Sequence, residues 1–156
     1  MGYIFRSEDN NFTIIIYDDI CAKMILECET YRDFETGGIL IGNYSKDGNV
    51  AYIKDSYSPI DSKHRKSKFF RGAEGINKIL DKKWKEGEYY LGEWHYHPNS
   101  SSRSSRLDDI QMINFSNNEK LHCPEPILLV IGGNSSKWSL NAYVYKNNEK
   151  IILRKE

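Results

Sequence analysis

The stretch Tyr89-Tyr90-Leu91-Gly92-Glu93-Trp94-His95-Tyr96-His97-Pro98, followed six residues later by Ser105-Arg106-Leu107-Asp108, decides how this chain is read. Tyr89 to His97 reads as a strand, and Pro98 ends it because proline cannot donate to a ladder. On a strand, side chains at i and i+2 share a face. His95 and His97 therefore point one way and Tyr96 the other, so two imidazoles can chelate one zinc ion. Asn99 to Ser104 reads as a Ser-rich loop. It gives the chain room to turn and bring Asp108 back on the first turn of a helix that starts near Ser105. Two histidines and one carboxylate leave a fourth position for water, the pattern of a catalytic rather than a structural zinc site.

Working outward, Asn11 to Tyr17 is a β-branched run and reads as a strand. Asp18 and Asp19 start a helix over residues 18–32, with Ile20, Cys21, Met24, Ile25 and Cys28 at helical spacing. Gly37 to Tyr44 reads as a buried strand opened by two glycines. Val50 to Tyr57 follows as another, after the Lys46-Asp47-Gly48-Asn49 turn. Residues 58–68 are polar and basic without a period, and read as an exposed loop in which Lys63, Arg65, Lys66 and Lys68 face water. Ile76, Ile79, Leu80 and Trp84 mark a second helix. The helix that follows Ser105 carries Leu107, Ile110 and Asn114 on one side. Ile127–Ile131, Trp138–Tyr145 and Lys150–Leu153 read as three closing strands. Helices interleaved with strands give an α/β architecture, a mixed sheet flanked by helices, in one domain over residues 1–156. Trp94 and Trp138 read as core residues. His64 and His122 read as solvent-facing.

Composition narrows the function classes. The chain has 156 residues, enough to bury a core without staples. Its 22 basic and 22 acidic residues cancel, and the pI is near 6.9, so bulk charge gives no case for nucleic-acid binding. The first ten residues lack a secretory pattern, and Arg6 stands where a myristoylation signal wants Ser or Thr. No apolar run reaches the length of a membrane span. Cys21, Cys28 and Cys123 are odd in number and lack zinc-finger spacing, which fits free thiols in a reducing cytoplasm.

Hydrolysis at such a metal site needs a base that takes the water's proton and later gives it to the leaving group. Glu35, in Glu35-Thr36-Gly37-Gly38, stands at the entry to a buried strand. The glycines beside it leave room for a substrate or another backbone to approach. Each part also has a plainer reading. A His-x-His pair can lie on a surface, Glu35 can be an ordinary loop acid, and Ser105-x-x-Asp108 can be only a helix-capping arrangement. Taken together, the parts resemble the JAMM or MPN-type (JAB) metallopeptidases, whose signature is an upstream Glu, then His-x-His-Pro-x6-Ser-x-x-Asp. Glu35, His95, His97, Pro98, Ser105 and Asp108 match it. Moving the register to Asp109 would put Arg106 in the serine position. Tyr96 departs from the Ser or Thr commoner between the histidines. With each residue type at about 5% of usage, five fixed positions coincide by chance roughly once in millions of starts.

The resemblance implies an MPN (JAB) fold and a Zn2+ ion held by His95, His97 and Asp108. It also implies Glu35 as general base and Ser105 as a stabiliser of the tetrahedral oxyanion. Tyr90-Leu91-Gly92-Glu93-Trp94-His95 in a small domain is further similar to a bacterial branch labelled integrative and conjugative element proteins, which includes JAB-type peptidases of type II CBASS antiphage operons. That implies removal of a ubiquitin-like protein or a cGAS-like nucleotidyltransferase C-terminal tail from a target lysine. It also implies an operon-encoded activating and conjugating enzyme as partner. A JAMM peptidase acting on a small sulfur-carrier adduct stays open, as does a non-catalytic MPN scaffold. The scaffold reading predicts missing ligands, and none is missing.

Overall fold

The computed structural model describes residues 2–156. In chain order the elements are β1 (Gly2–Ser7), β2 (Thr13–Tyr17), α1 (Asp18–Tyr31), β3 (Thr36–Tyr44), β4 (Val50–Tyr57), β5 (Lys63–His64), β6 (Phe69–Phe70), α2 (Ile76–Trp84), β7 (Tyr89–Pro98), α3 (Arg106–Asn117), β8 (Ile127–Asn134), β9 (Lys137–Lys146) and β10 (Glu149–Lys155). Eight strands close on themselves in the order β1-β10-β9-β8-β7-β3-β4-β2. The sheet is mixed as expected: β2 runs parallel to β4 and β7 parallel to β8, and the other neighbours are antiparallel.

The core sits between the barrel and α1, which buries Ile20, Met24 and Cys28 against Phe5, Ile14, Leu40, Ile53, Trp94 and Leu129. A second cluster joins Met112 of α3 to Leu128, Val130, Tyr143 and Tyr145 on β8 and β9. β8 is thus covered on both faces, which is why Ile127–Ile131 is an unbroken apolar run rather than an alternating one. Trp94 is fully buried in the main core and Trp138 packs against it.

Two local readings, of residues 58–68 and of His64, need correction, and β1 and the buried face of α3 add to what the sequence shows. Gly2–Ser7, to which the sequence reading assigns no element, is a strand paired with β2 around the Asp9 turn. Residues 58–68 are not wholly loop, since β5 pairs with β6 in a two-stranded strap. His64 is half-buried rather than solvent-facing, its ring stacked on Tyr31, whereas His122 is exposed. On α3, Leu107 and Ile110 face water, because the inward face is set by Asp108 and Met112.

Among the described residues the three cysteines are free, and no helix is long and apolar enough to cross a membrane.

Candidate metal centre

Three elements bring the site together. β7 supplies the histidines, and its register is set by one extra residue. Leu40 of β3 pairs with Gly92 but Ile41 pairs with Tyr90, so the ladder skips Leu91. Gly92 takes φ 152°, and a Cβ there would lie 1.9 Å from the Ile127 carbonyl oxygen, so only glycine fits. Beyond the bulge, Trp94 and Tyr96 enter the core, while Glu93, His95 and His97 take the other face. Tyr96 is 1% exposed and its hydroxyl donates to the Arg32 carbonyl.

α3 supplies the carboxylate. Ser105 is its N-cap and forms a capping box with Asp108. The Ser105 hydroxyl accepts from the Asp108 N–H at 3.0 Å, and the Ser105 N–H donates to Asp108 Oδ2 at 2.8 Å. The box aims Asp108 at β7. Its Oδ1 is 2.7 Å from His95 Nδ1, and its Oδ2 is 3.2 Å from His97 Nε2. Asp109 points elsewhere, accepting from the Tyr145 hydroxyl and Lys150.

β3 sets the place of Glu35. Thr36 pairs with Tyr96 and Gly37 with His95, so Glu35, one residue ahead of the strand, comes level with His97 on the histidine face. Gly37 is needed for close packing rather than for substrate. A Cβ there would meet the Trp94 carbonyl at 2.2 Å, Phe69 at 3.0 Å and His95 at 3.1 Å. Of the two occupants the sequence left open beside the glycines, the near neighbour is therefore another backbone.

The charges respond to this closeness. Burial pushes the Glu35 carboxyl up; His97 and His95 oppose that shift, and Asp108 adds to it. Burial disfavours the charged form of His97, but the hydrogen bond and charge of Asp108, with the charge of Glu35, raise it overall. Burial alone would raise Asp108. The hydrogen bonds from both histidines, the charge of His95 and the Ser105 N–H instead hold it well below the usual carboxylate range.

The model of the prokaryotic homologs of the JAB domain matches residues 18–143. A CD-NTase/cGAS isopeptidase of Enterobacter hormaechei is 37% identical over 154 residues, covering 97% of this chain and 86% of that protein. The chain belongs to the prokaryotic JAB family. A probable metalloprotease of Sinorhizobium fredii is 24% identical over 153 residues, 90% of this chain and 88% of that protein. A Desulfitobacterium hafniense protein solved in solution shares the fold, with a TM-score of 0.61 at 18% identity over 92% of this chain and 89% of that one. The family and the relatives' names make this JAB domain a metal-dependent hydrolase.

Among the described residues no group of three or more His, Cys, Asp and Glu side chains is arranged around an open coordination point. The Asp108 carboxylate lies directly against both imidazoles. Two imidazoles with one carboxylate in hydrogen-bond contact with both are the donor types of catalytic zinc, so by donor chemistry the residues fit such an ion. The sequence reading missed His64, on the strap, and Arg71, just after it. Arg71 reaches the buried Glu93 at 2.5 Å, and the Tyr90 hydroxyl donates to the same carboxylate. The available signal was Glu93 itself, an acid on a buried strand that needs a cation.

Proposed function

We propose that this JAB domain is a zinc-dependent isopeptidase that releases the C-terminal tail of a cGAS-like nucleotidyltransferase or a ubiquitin-like protein from a lysine amine. The observation that carries the reading is the Asp108 carboxylate between His95 and His97, with Glu35 level with them on the same face. The substrate class is supported by the 37% identity, over nearly the whole chain, to a protein named CD-NTase/cGAS isopeptidase.

Zinc held by His95, His97 and Asp108 would supply Lewis acidity and bring water's pKa down to about 7. Glu35, half-buried and raised by that burial, takes the proton of the attacking water as oxygen adds to the tail's last carbonyl carbon. The Ser105 hydroxyl uses its lone pair for the Asp108 N–H, so its own hydrogen is free to donate to the developing oxyanion. Glu35 then hands its proton to the lysine nitrogen as the C–N bond breaks. The products are a free tail carboxylate and a free lysine. Ser105 is exposed at the start of α3 and His97 is only partly buried, so a substrate can reach this edge. A neighbouring activating and conjugating enzyme would make the conjugate that this chain cuts.

The test is a purified nucleotidyltransferase–lysine conjugate, incubated with the zinc-loaded chain and with Glu35→Gln. The unmutated chain releases both partners with intact termini. Glu35→Gln keeps its zinc and its fold and is slower by roughly 10²–10⁴-fold. Loss of metal in Glu35→Gln would make Glu35 a ligand instead. Cleavage of a short sulfur-carrier adduct alone would replace the substrate.

A further inference from the structure

Glu35 lies outside the barrel ladder, because β3 begins at Thr36. Something else must satisfy and fix its peptide groups. The strap does so with two consecutive residues. The Glu35 N–H donates to the Arg65 carbonyl at 2.7 Å, and the Glu35 carbonyl lies 3.0 Å from His64 Nδ1. A carbonyl can only accept, so Nδ1 carries the proton in this bond. The ring is itself held on two sides. It stacks on Tyr31 at 3.7 Å with 13° between planes, and it meets Phe69 at 5.3 Å. Phe69 in turn touches the edge of His95 at 5.7 Å. A series of rings therefore runs from the end of α1, through His64, to a histidine of the metal centre.

We infer that His64 is a positioning residue for Glu35. Its Nδ1–H and the Arg65 carbonyl clamp the Glu35 backbone from both ends, which fixes where the Glu35 carboxylate starts and so where it meets the attacking water. The inference rests on the reading of Glu35 as the base. It assigns the strap a catalytic consequence that its polar, aperiodic sequence does not suggest. Misplacing a reacting group by about 1 Å can cost about 10² in rate, so a clamp on the backbone of the base is felt in turnover rather than in binding.

Two variants separate the donor from the ring. His64→Phe keeps a ring to stack on Tyr31 but has no N–H. His64→Asn loses the ring but places an amide N–H where Nδ1 stood. With the zinc-loaded chain and the nucleotidyltransferase–lysine conjugate, His64→Phe lowers kcat roughly 10–100-fold. KM stays within about twofold, and zinc stays at the unmutated level. His64→Asn recovers most of the loss. Amide exchange followed by NMR gives a readout independent of turnover. The Glu35 amide is protected in the unmutated chain and exchanges faster in His64→Phe, while the amides of β7 do not change. An unprotected Glu35 amide in the unmutated chain, an unchanged kcat in His64→Phe, or a loss that appears as missing zinc would overturn the inference. If the unmutated chain cuts no conjugate yet Glu35 exchange follows His64, the substrate reading fails and the clamp stands.

Discussion

Ser105 caps α3 and is proposed to donate to the oxyanion, and the two roles separate experimentally. Its hydroxyl oxygen caps the Asp108 N–H, and its hydrogen is left to donate. Removing an N-cap hydroxyl costs about 1 kcal/mol, which lowers Tm by roughly 2–4 °C in a chain of this size. Removing an oxyanion donor costs about 10²–10³ in kcat. Ser105→Ala is expected to show both effects in a melting curve and a steady-state assay. A stability loss with unchanged kcat would leave Ser105 as a cap alone. The meeting of these side chains was legible because both periodicities involved are local. A strand repeats every two residues, which put His95 and His97 on one face. A capping box spans four, which tied Ser105 to Asp108. His64 was not legible, because its place depends on a backbone contact with a residue 29 positions earlier, and no local period encodes that.

The strap is held to the barrel by a buried ion pair. Glu93 is fully buried and the Arg71 side chain is 17% exposed, with the guanidinium also lying over the Phe115 ring of α3. Burial raises the Glu93 carboxyl, while the Arg71 charge and the Tyr90 hydroxyl work against that rise. Breaking a buried pair by removing one partner costs about 3–5 kcal/mol, because the other charge is left uncompensated. Arg71→Met is therefore expected to lower Tm by roughly 6–20 °C. Adding Glu93→Leu to Arg71→Met should return part of the loss, since no bare charge then remains. Additive losses in calorimetry would show that the two side chains do not act as a pair. At this scale the sequence was clear where an element is long and one-sided, as in α1, and silent where it is short. β5 and β6 have two residues each, too few for a pattern. β1 was hidden because Phe5 and Ser7 alone are buried among its six residues. The Asp9-Asn10-Asn11 turn before β2 was the usable hint of a hairpin. α3 was placed correctly, and Leu107, Ile110 and Asn114 do share one side, which is the exposed one. A polar residue, Asp108, sits on its buried face, and hydrophobic periodicity assumes the opposite.

Across the whole molecule, the proposed ligands come from two different parts of the fold. β7 is central in the closed sheet, between β3 and β8, whereas α3 lies on its outside against β8 and β9. Asp108 bridges the two through hydrogen bonds, and the proposed zinc would add a shared ion. A ligand that binds the folded chain and not the unfolded one stabilises it by RT ln(1 + [L]/Kd), about 2.7 kcal/mol at a hundredfold excess over Kd. In a chain of 156 residues that raises Tm by roughly 5–11 °C. Zinc added to metal-free protein is expected to give this rise in a thermal melt, and a chelator to reverse it. Bound zinc measured by elemental analysis should approach one equivalent per chain. His95→Ala/His97→Ala leaves Asp108 as the last proposed ligand, so both the rise and the bound zinc should vanish. Asp109→Asn is the matched control: Asp109 sits beside Asp108 on the same turn but bonds Tyr145 and Lys150, so its zinc response should be unchanged. A full zinc response in the double-alanine variant would place the ion elsewhere and remove β7 from the site.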